Sequence, residues 1–81
     1  MSNLQTMINS GTVWRLEGAA GREAMAAIQA GECMLGETSH RDYWGNYIPS
    51  RYEVESGSKG SREYVVDKIG EAWADMLEGV I

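Results

Sequence analysis

Arg62-Glu63-Tyr64-Val65-Val66-Asp67-Lys68-Ile69-Gly70-Glu71-Ala72-Trp73-Ala74-Asp75-Met76-Leu77-Glu78-Gly79 carries the clearest helical period in the chain. At 3.6 residues per turn Val65, Val66, Ile69, Trp73, Met76, Leu77 and Val80 fall within about 120° of one another. An amphipathic helix is therefore expected over about 62–79, with this stripe turned to a core. Ser61 suits the N-cap position, where its hydroxyl can accept from a first-turn N–H, and Glu63 sits where the helix dipole favours negative charge. Along another side Glu63, Asp67, Glu71 and Asp75 recur every four residues, with Glu78 in the same sector. Like charges at that spacing cost about 0.2–0.5 kcal/mol per pair, and only Arg62 and Lys68 lie near enough to offset them. Two readings stand: the solvated face of an acidic protein, or a surface for a Lys/Arg-rich groove, including one that ordinarily holds nucleic acid.

Moving upstream, Ser56-Gly57-Ser58-Lys59-Gly60-Ser61 reads as a turn. Pro49 bars helix for the residue before it, so Arg51-Tyr52-Glu53-Val54-Glu55 is expected as a strand, about 51–55. Its antiparallel partner is expected at about 32–35, Glu32-Cys33-Met34-Leu35, which alternates after Gly31. Residues 37–46 then form a long loop. Gly31 stands where a left-handed cap would end a helix over about 19–30. Thr12-Val13-Trp14-Arg15-Leu16-Glu17 fits either strand or a first helical turn. Helix continuity is preferred because Leu16, Ala20, Ala24, Ala27 and Ile28 share one helical face. Asn9-Ser10-Gly11 is a turn cluster, which leaves residues 1–11 as an N-terminal arm and 12–81 as a single globular domain. The fold class expected is α+β, with two main helices and a short antiparallel hairpin or sheet.

With 81 residues one domain is expected, and a chain of that size buries only about 60–65% of its unfolded surface. The 43% hydrophobic and 23% charged content is that of a folded protein rather than a disordered one. Phe is absent, so core bulk must come from Trp14, Trp44, Trp73, the tyrosines, the methionines and the aliphatics. Twelve acidic against seven basic side chains give a net charge of −5, which opposes phosphate neutralisation and disfavours direct nucleic-acid binding. Cys33 is the single cysteine; with no CxxC or Cys/His companions, neither an internal disulfide nor a structural zinc site is expected. No apolar stretch has membrane-spanning length, and Met1-Ser2-Asn3-Leu4-Gln5 lacks the regions of a signal peptide. The cytoplasm is the expected location.

The most distinctive stretch is His40-Arg41-Asp42-Tyr43-Trp44-Gly45-Asn46-Tyr47-Ile48-Pro49-Ser50-Arg51-Tyr52, which gathers four aromatics, two arginines and the one histidine of the chain. Trp, Tyr and Arg dominate interface hot spots, because they bury large area at low rotamer cost and keep a polar handle. Arg41, Asp42, Tyr43, Trp44, Tyr47, Arg51 and Tyr52 are thus candidate partner-binding residues, together with Glu63, Asp67, Glu71 and Asp75. The same loop could instead cover the core, with Trp44 and Ile48 closing over the sheet and Asp42 pairing Arg41 or Arg51. Catalysis is not expected. His40 and Asp42 could orient a base and Ser39 or Cys33 supply a nucleophile, but there is no G-x-S-x-G elbow and no second histidine. Gly57 and Gly60 match no phosphate-loop pattern, though an anion could sit at the Ser61 end of the helix beside Lys59 and Arg62. No cofactor or metal is implied.

Trp14-Arg15-Leu16-Glu17-Gly18, Cys33-Met34-Leu35-Gly36, His40-Arg41-Asp42-Tyr43-Trp44-Gly45-Asn46-Tyr47 and Lys59-Gly60-Ser61-Arg62-Glu63-Tyr64-Val65 together resemble short uncharacterised proteins encoded by tailed bacteriophages, over about residues 10–66. The resemblance carries no activity, ligand or catalytic residue. It implies a context in which small phage proteins outside the virion bind a host enzyme or defence complex and alter it. The expectation is a non-enzymatic protein that binds a host protein or complex in the host cytoplasm and inhibits or modulates it. A CRISPR effector, a polymerase or gyrase, each with a basic nucleic-acid surface, is a candidate target. One alternative is a structural or self-assembling accessory protein, homodimeric through Ile69, Trp73, Met76 and Leu77. Another is a weak nucleic-acid binder using Arg41, Arg51, Lys59 and Arg62.

Overall fold

The computed structural model describes residues 3–16 and 18–80, over which there are five helices and one small hairpin. In chain order they are α1 (Asn3–Ser10), α2 (Thr12–Arg15), α3 (Ala19–Ala30), β1 (His40–Arg41), β2 (Tyr47–Ile48), α4 (Arg62–Lys68) and α5 (Glu71–Glu78). The strands run antiparallel, with His40 opposite Ile48 and Arg41 opposite Tyr47. The α+β single domain expected from the sequence is found, with its parts differently placed.

The stretch expected as an arm is an element of the core from residue 3 onward; residues 1 and 2, like 81, lie outside the described residues. Leu4, Met7 and Ile8 share one side of α1, and Ile8 and Gln5 are completely buried. Burying an amide without partners would be costly, and Gln5 avoids this through Met34. Its Nε2 donates to the Met34 carbonyl at 2.9 Å, and its Oε1 accepts from the Met34 N–H at 2.9 Å.

Helix α2 buries Val13 and Trp14 and then stops. Leu16 is extended, and the chain passes Gly18 at φ 85, so the expected continuity into α3 fails although residues 12–15 are helical. Glu17 lies outside the described residues. Helix α3 has the expected limits, burying Ala24, Ala27 and Ile28. It ends on Gly31 at φ 81, with the Gly31 N–H bonded to the Ile28 carbonyl at 3.1 Å and the Glu32 N–H to that of Ala27 at 2.9 Å. This is the Schellman closure. A side chain is excluded there twice over, since a Cβ would lie 2.7 Å from that of Lys68.

Residues 32–35 and 51–55 do not form the expected pair of strands. The first segment bends at residues 32 and 33 and has scattered backbone partners: Cys33 N–H bonds the Ala27 carbonyl at 3.3 Å, Met34 is held by the Gln5 side chain, and Leu35 N–H reaches the Gly60 carbonyl at 3.0 Å. Its apolar alternation has another origin. Cys33 and Leu35 enter one hydrophobic cluster with Ile8, Val13, Trp14 and Ile28, while Met34 enters a second with Val65, Ala74 and Leu77. The segment 51–55 makes turns, joined to the first region by the Arg51 N–H on the Gly36 carbonyl at 2.8 Å. The sheet forms instead around the segment read as loop.

The expected helix over 62–79 is two helices. Ser61 caps α4 as anticipated: its buried Oγ accepts from Tyr64 N–H at 3.2 Å and Gly57 N–H at 3.0 Å, and donates to the Ser58 carbonyl at 2.7 Å. The break comes at Gly70, whose φ of 139° and ψ of 163° lie in a region open essentially to glycine alone. Helix α5 then turns back beside α4, and Arg62 pairs with Asp75 and, at 2.9 Å, with Glu78. The turned-back pair is pinned to the rest by Tyr64 Oη on the Gln29 carbonyl at 2.7 Å, Trp73 Nε1 on that of Glu32 at 2.8 Å and Asn9 Nδ2 on that of Val80 at 3.1 Å.

Candidate functional site

The loop joining β1 to β2 is built on Asp42. One carboxylate oxygen accepts from Trp44 N–H at 2.9 Å and Asn46 N–H at 2.8 Å, and the other from Asn46 Nδ2 at 3.3 Å. Asp42 N–H bonds the Asn46 carbonyl at 3.0 Å, closing the turn. Partial desolvation raises the Asp42 carboxyl, but the hydrogen bonds from Asn46, Trp44 and Gly45 outweigh it and hold its pKa below the ordinary value. Asp42 therefore pairs with neither Arg41 nor Arg51, contrary to expectation. Arg41 Nη1 donates to the Gly45 carbonyl at 3.1 Å, and its guanidinium lies 5.4 Å from the centre of the Tyr47 ring, its cross-strand partner.

A hairpin so tied holds its aromatic side chains in water. Trp44 is 70% exposed, Tyr43 53% and Tyr47 50%, and Tyr52, in the turn that follows the hairpin, is 68% exposed. Tyr43 and Trp44 meet edge to face with centroids 4.8 Å apart, and the Tyr47 hydroxyl donates to Glu53. That bond, followed by one from the Ser50 N–H, lowers the Glu53 pKa. The hairpin is anchored to α2 through Tyr43 N–H on the Trp14 carbonyl at 2.6 Å. Of the two residues expected to close over the core, Ile48 does so and Trp44 does not.

Between the hairpin and the start of α3 runs a groove of about 390 Å³. Trp14, Leu16, Met25 and Ile48 supply apolar walls, Tyr43 and Trp44 one lip, and Arg22 and Asp42 its charged groups. Leu16, Arg22 and Met25 were absent from the sequence-based set. The available signal was Met25, an apolar residue on α3 outside the Ala24, Ala27 and Ile28 face.

The remaining predicted residues are not brought into this site. Arg51 is only 5% exposed: its Nε donates to the Leu35 carbonyl at 2.8 Å and its Nη2 to Asn9 Oδ1 at 3.2 Å, so it is a structural tie rather than a surface contact. Glu63 and Asp67 are on α4 while Glu71 and Asp75 are on α5, so the break at Gly70 divides the acidic row. Arg62 takes up Asp75 and Glu78; Glu63, Asp67 and Glu71 have no ion pair among the described residues. With Arg51 buried and Arg62 paired, the basic patch of Arg41, Arg51, Lys59 and Arg62 loses two of its members.

Leu77, expected at a two-fold interface, is buried within the chain, whereas Ile69 and Met76 are 46% and 43% exposed. Ile69 and Trp73 line a second recess of about 380 Å³ with Leu4, Ala27, Glu32 and Cys33. Burial first, and then the neighbouring Glu32 charge, push the Cys33 thiol up to about 11, which keeps it protonated and weakly nucleophilic near neutrality. Ser39 is exposed, and His40 Nε2 lies 3.3 Å from the Asn9 carbonyl and 3.4 Å from Thr38 Oγ1. Among the described residues no cluster of His, Cys, Asp or Glu is arranged to hold a metal ion, and no helix is long and apolar enough to cross a membrane. No protein-family model matches the chain, and no curated protein or solved structure shows significant similarity to it.

Proposed function

We propose that this chain is a non-enzymatic recognition domain that binds a partner protein through Arg41, Tyr43, Trp44 and Tyr47. The observation that carries the reading is the exposure of this aromatic cluster on a hairpin held by five hydrogen bonds within residues 42–46. A chain without Phe gains by placing tryptophan inside, and it leaves Trp44 mostly in water. A loop already ordered loses little conformational freedom on binding, so more of the contact energy survives as affinity. The likeness to short phage-encoded proteins supports a host protein or complex as the partner, met in the host cytoplasm and inhibited or modulated there. A CRISPR effector, polymerase or gyrase with a basic channel suits Glu63, Asp67 and Glu71, whose charges would steer the encounter.

Affinity capture with the full chain from host lysate, followed by titration of the captured protein, tests this. Trp44→Ala is expected to weaken binding at least about thirtyfold, the effect of a hot spot worth 2 kcal/mol. Unchanged affinity for Trp44→Ala and Tyr47→Ala would refute the assignment. A second reading, self-association, is favoured by the exposure of Ile69 and Met76 beside Trp73. It predicts a dimer in sedimentation equilibrium that Ile69→Glu dissociates.

A further inference from the structure

We infer that Glu53, which lies outside the hairpin, is a positioning residue for the hairpin's partner-binding face: acting through Tyr47, it holds the Tyr47 ring and the Arg41 side chain in the arrangement a partner meets. The inference rests on the partner-binding reading above and adds what sets the geometry of that site. Strands of two residues each give the hairpin few bonds of its own, and a two-stranded hairpin is at best marginally stable by itself. Asp42 fixes the backbone of the loop through Trp44 and Asn46. The Tyr47 hydroxyl is held instead by Glu53.

Glu53 can hold it because its own turn is rigid. Ser50-Arg51-Tyr52-Glu53 has the S-x-x-E arrangement that caps helix starts, here closing a single turn. Ser50 Oγ accepts from Tyr52 N–H at 3.3 Å, the Ser50 carbonyl accepts from Glu53 N–H at 3.1 Å, and Glu53 Oε2 accepts from Ser50 N–H at 2.9 Å. Arg51, buried in the same turn, ties it to Leu35, Gly36 and Asn9. With one carboxylate oxygen engaged there, the other reaches Tyr47. The Arg41 guanidinium lies 5.4 Å from the centre of the Tyr47 ring, and its Nη1 donates to the Gly45 carbonyl at 3.1 Å. Contacts thus run from the core through Arg51, Glu53 and Tyr47 to Arg41 and the hairpin tip. Exposed tyrosine and arginine side chains otherwise sample several rotamers, and ordering them on binding subtracts from affinity; Glu53 orders them in the free chain. The Tyr47 hydroxyl first, and then the Ser50 N–H, hold the carboxyl below its ordinary value of 4.5. Both bonds are therefore in place at neutral pH and weaken as the pH falls through that lowered value.

The test is NMR on the isotope-labelled full chain, read at the Hα–Hβ couplings of residue 47 and at the Arg41 side-chain shifts, which the ring current of Tyr47 displaces. Glu53→Ala is expected to average the couplings and return the Arg41 shifts to random-coil values, with the amide spectrum elsewhere in place. Tyr47→Phe keeps the ring and the Glu53 bond to Ser50 and removes only the hydroxyl. It is expected to have the same effect at positions 41 and 47, which a role for Glu53 confined to capping its own turn would not produce. In the unaltered chain, acid below pH 4.5 should free the ring, a transition absent in Glu53→Ala; the Trp44 and Asn46 amides, which report Asp42, should titrate in both. Against the captured protein, Glu53→Ala is expected to weaken binding roughly two- to tenfold, the cost of ordering one side chain. Ordered couplings in either variant, a ring unmoved by acid, or full affinity in Glu53→Ala where Trp44→Ala has lost it overturns the inference and leaves the partner-binding reading standing. If both variants free the ring while Trp44→Ala and Tyr47→Ala bind as before, Glu53 does position Tyr47 and Arg41, and it is the partner-binding reading that fails.

Discussion

Gln5 occupies the interior as though it were a piece of backbone, its amide matched to both polar groups of Met34 and its second N–H given to Asn9 Oδ1 at 2.9 Å. Gln5→Leu would fill the same space and leave the Met34 N–H and C=O unpaired, at a cost of about 2–4 kcal/mol. For a domain whose whole stability is on the order of 4–12 kcal/mol, urea denaturation should show a clear fall in midpoint at unchanged slope. Cys33 gives a second prediction. Its thiol pKa is raised from 9.0 to about 11 in the folded chain, so between those values the folded state holds a proton that the unfolded state has released. Stability should therefore decline as pH rises from about 9 to about 11, a decline absent in Cys33→Ala when both are followed by urea titration. At this scale the sequence disclosed little. Gln5 reads as an ordinary polar residue, and Arg51 as a surface charge, because nothing local reveals that Met34, Leu35 and Asn9 will come to meet them.

The helix ends were the most legible elements. Gly31 and Ser61 act through bonds spanning a few residues, and local chemistry suffices to read them. The break at Gly70 was not legible for the opposite reason: the apolar period runs through it unbroken, and a lone glycine is tolerated within a helix at about 1 kcal/mol. What selects the break is distant, in the bond from Trp73 to the Glu32 carbonyl and the pairing of Arg62 with the far end of α5. Gly70→Ala meets no steric obstacle, since nothing lies within 4 Å of the added Cβ, but it must hold a backbone conformation costing about 1–3 kcal/mol. Thermal unfolding should fall by roughly 4–8 °C per kcal/mol lost. Gly79→Ala, at φ −80, should be close to neutral. The segment 32–35 misled by a related route. Its alternation is real, yet it records a chain passing between two clusters rather than a strand in a sheet. Leu4, Met7 and Ile8 did carry a helical period for α1, obscured by the polar residues among them. For the candidate site, the aromatic stretch itself was legible, whereas the turn of its side chains to solvent depends on Asp42 choosing its own loop over an arginine.

Across the whole molecule the two hydrophobic clusters share one wall, since Cys33 and Leu35 face one and Met34 the other. Neither can open without exposing the other, so the domain should unfold in a single step. A chain ending at Gly60 should not retain a folded remainder: it loses Val65, Ala74 and Leu77 from around Met34, and frees the Glu32 and Gln29 carbonyls from Trp73 and Tyr64. Its amide NMR spectrum should collapse to the narrow dispersion of an unfolded polypeptide; a well-dispersed spectrum would show two independent units. Asn9 bears on how the molecule is made. It accepts from Arg51 and donates to the Val80 carbonyl, so α1 completes its contacts only when residues 42 and 71 positions further along the chain are in place. Contacts of such wide separation reward the chain only after long loops have closed, so this domain should fold slowly for its size.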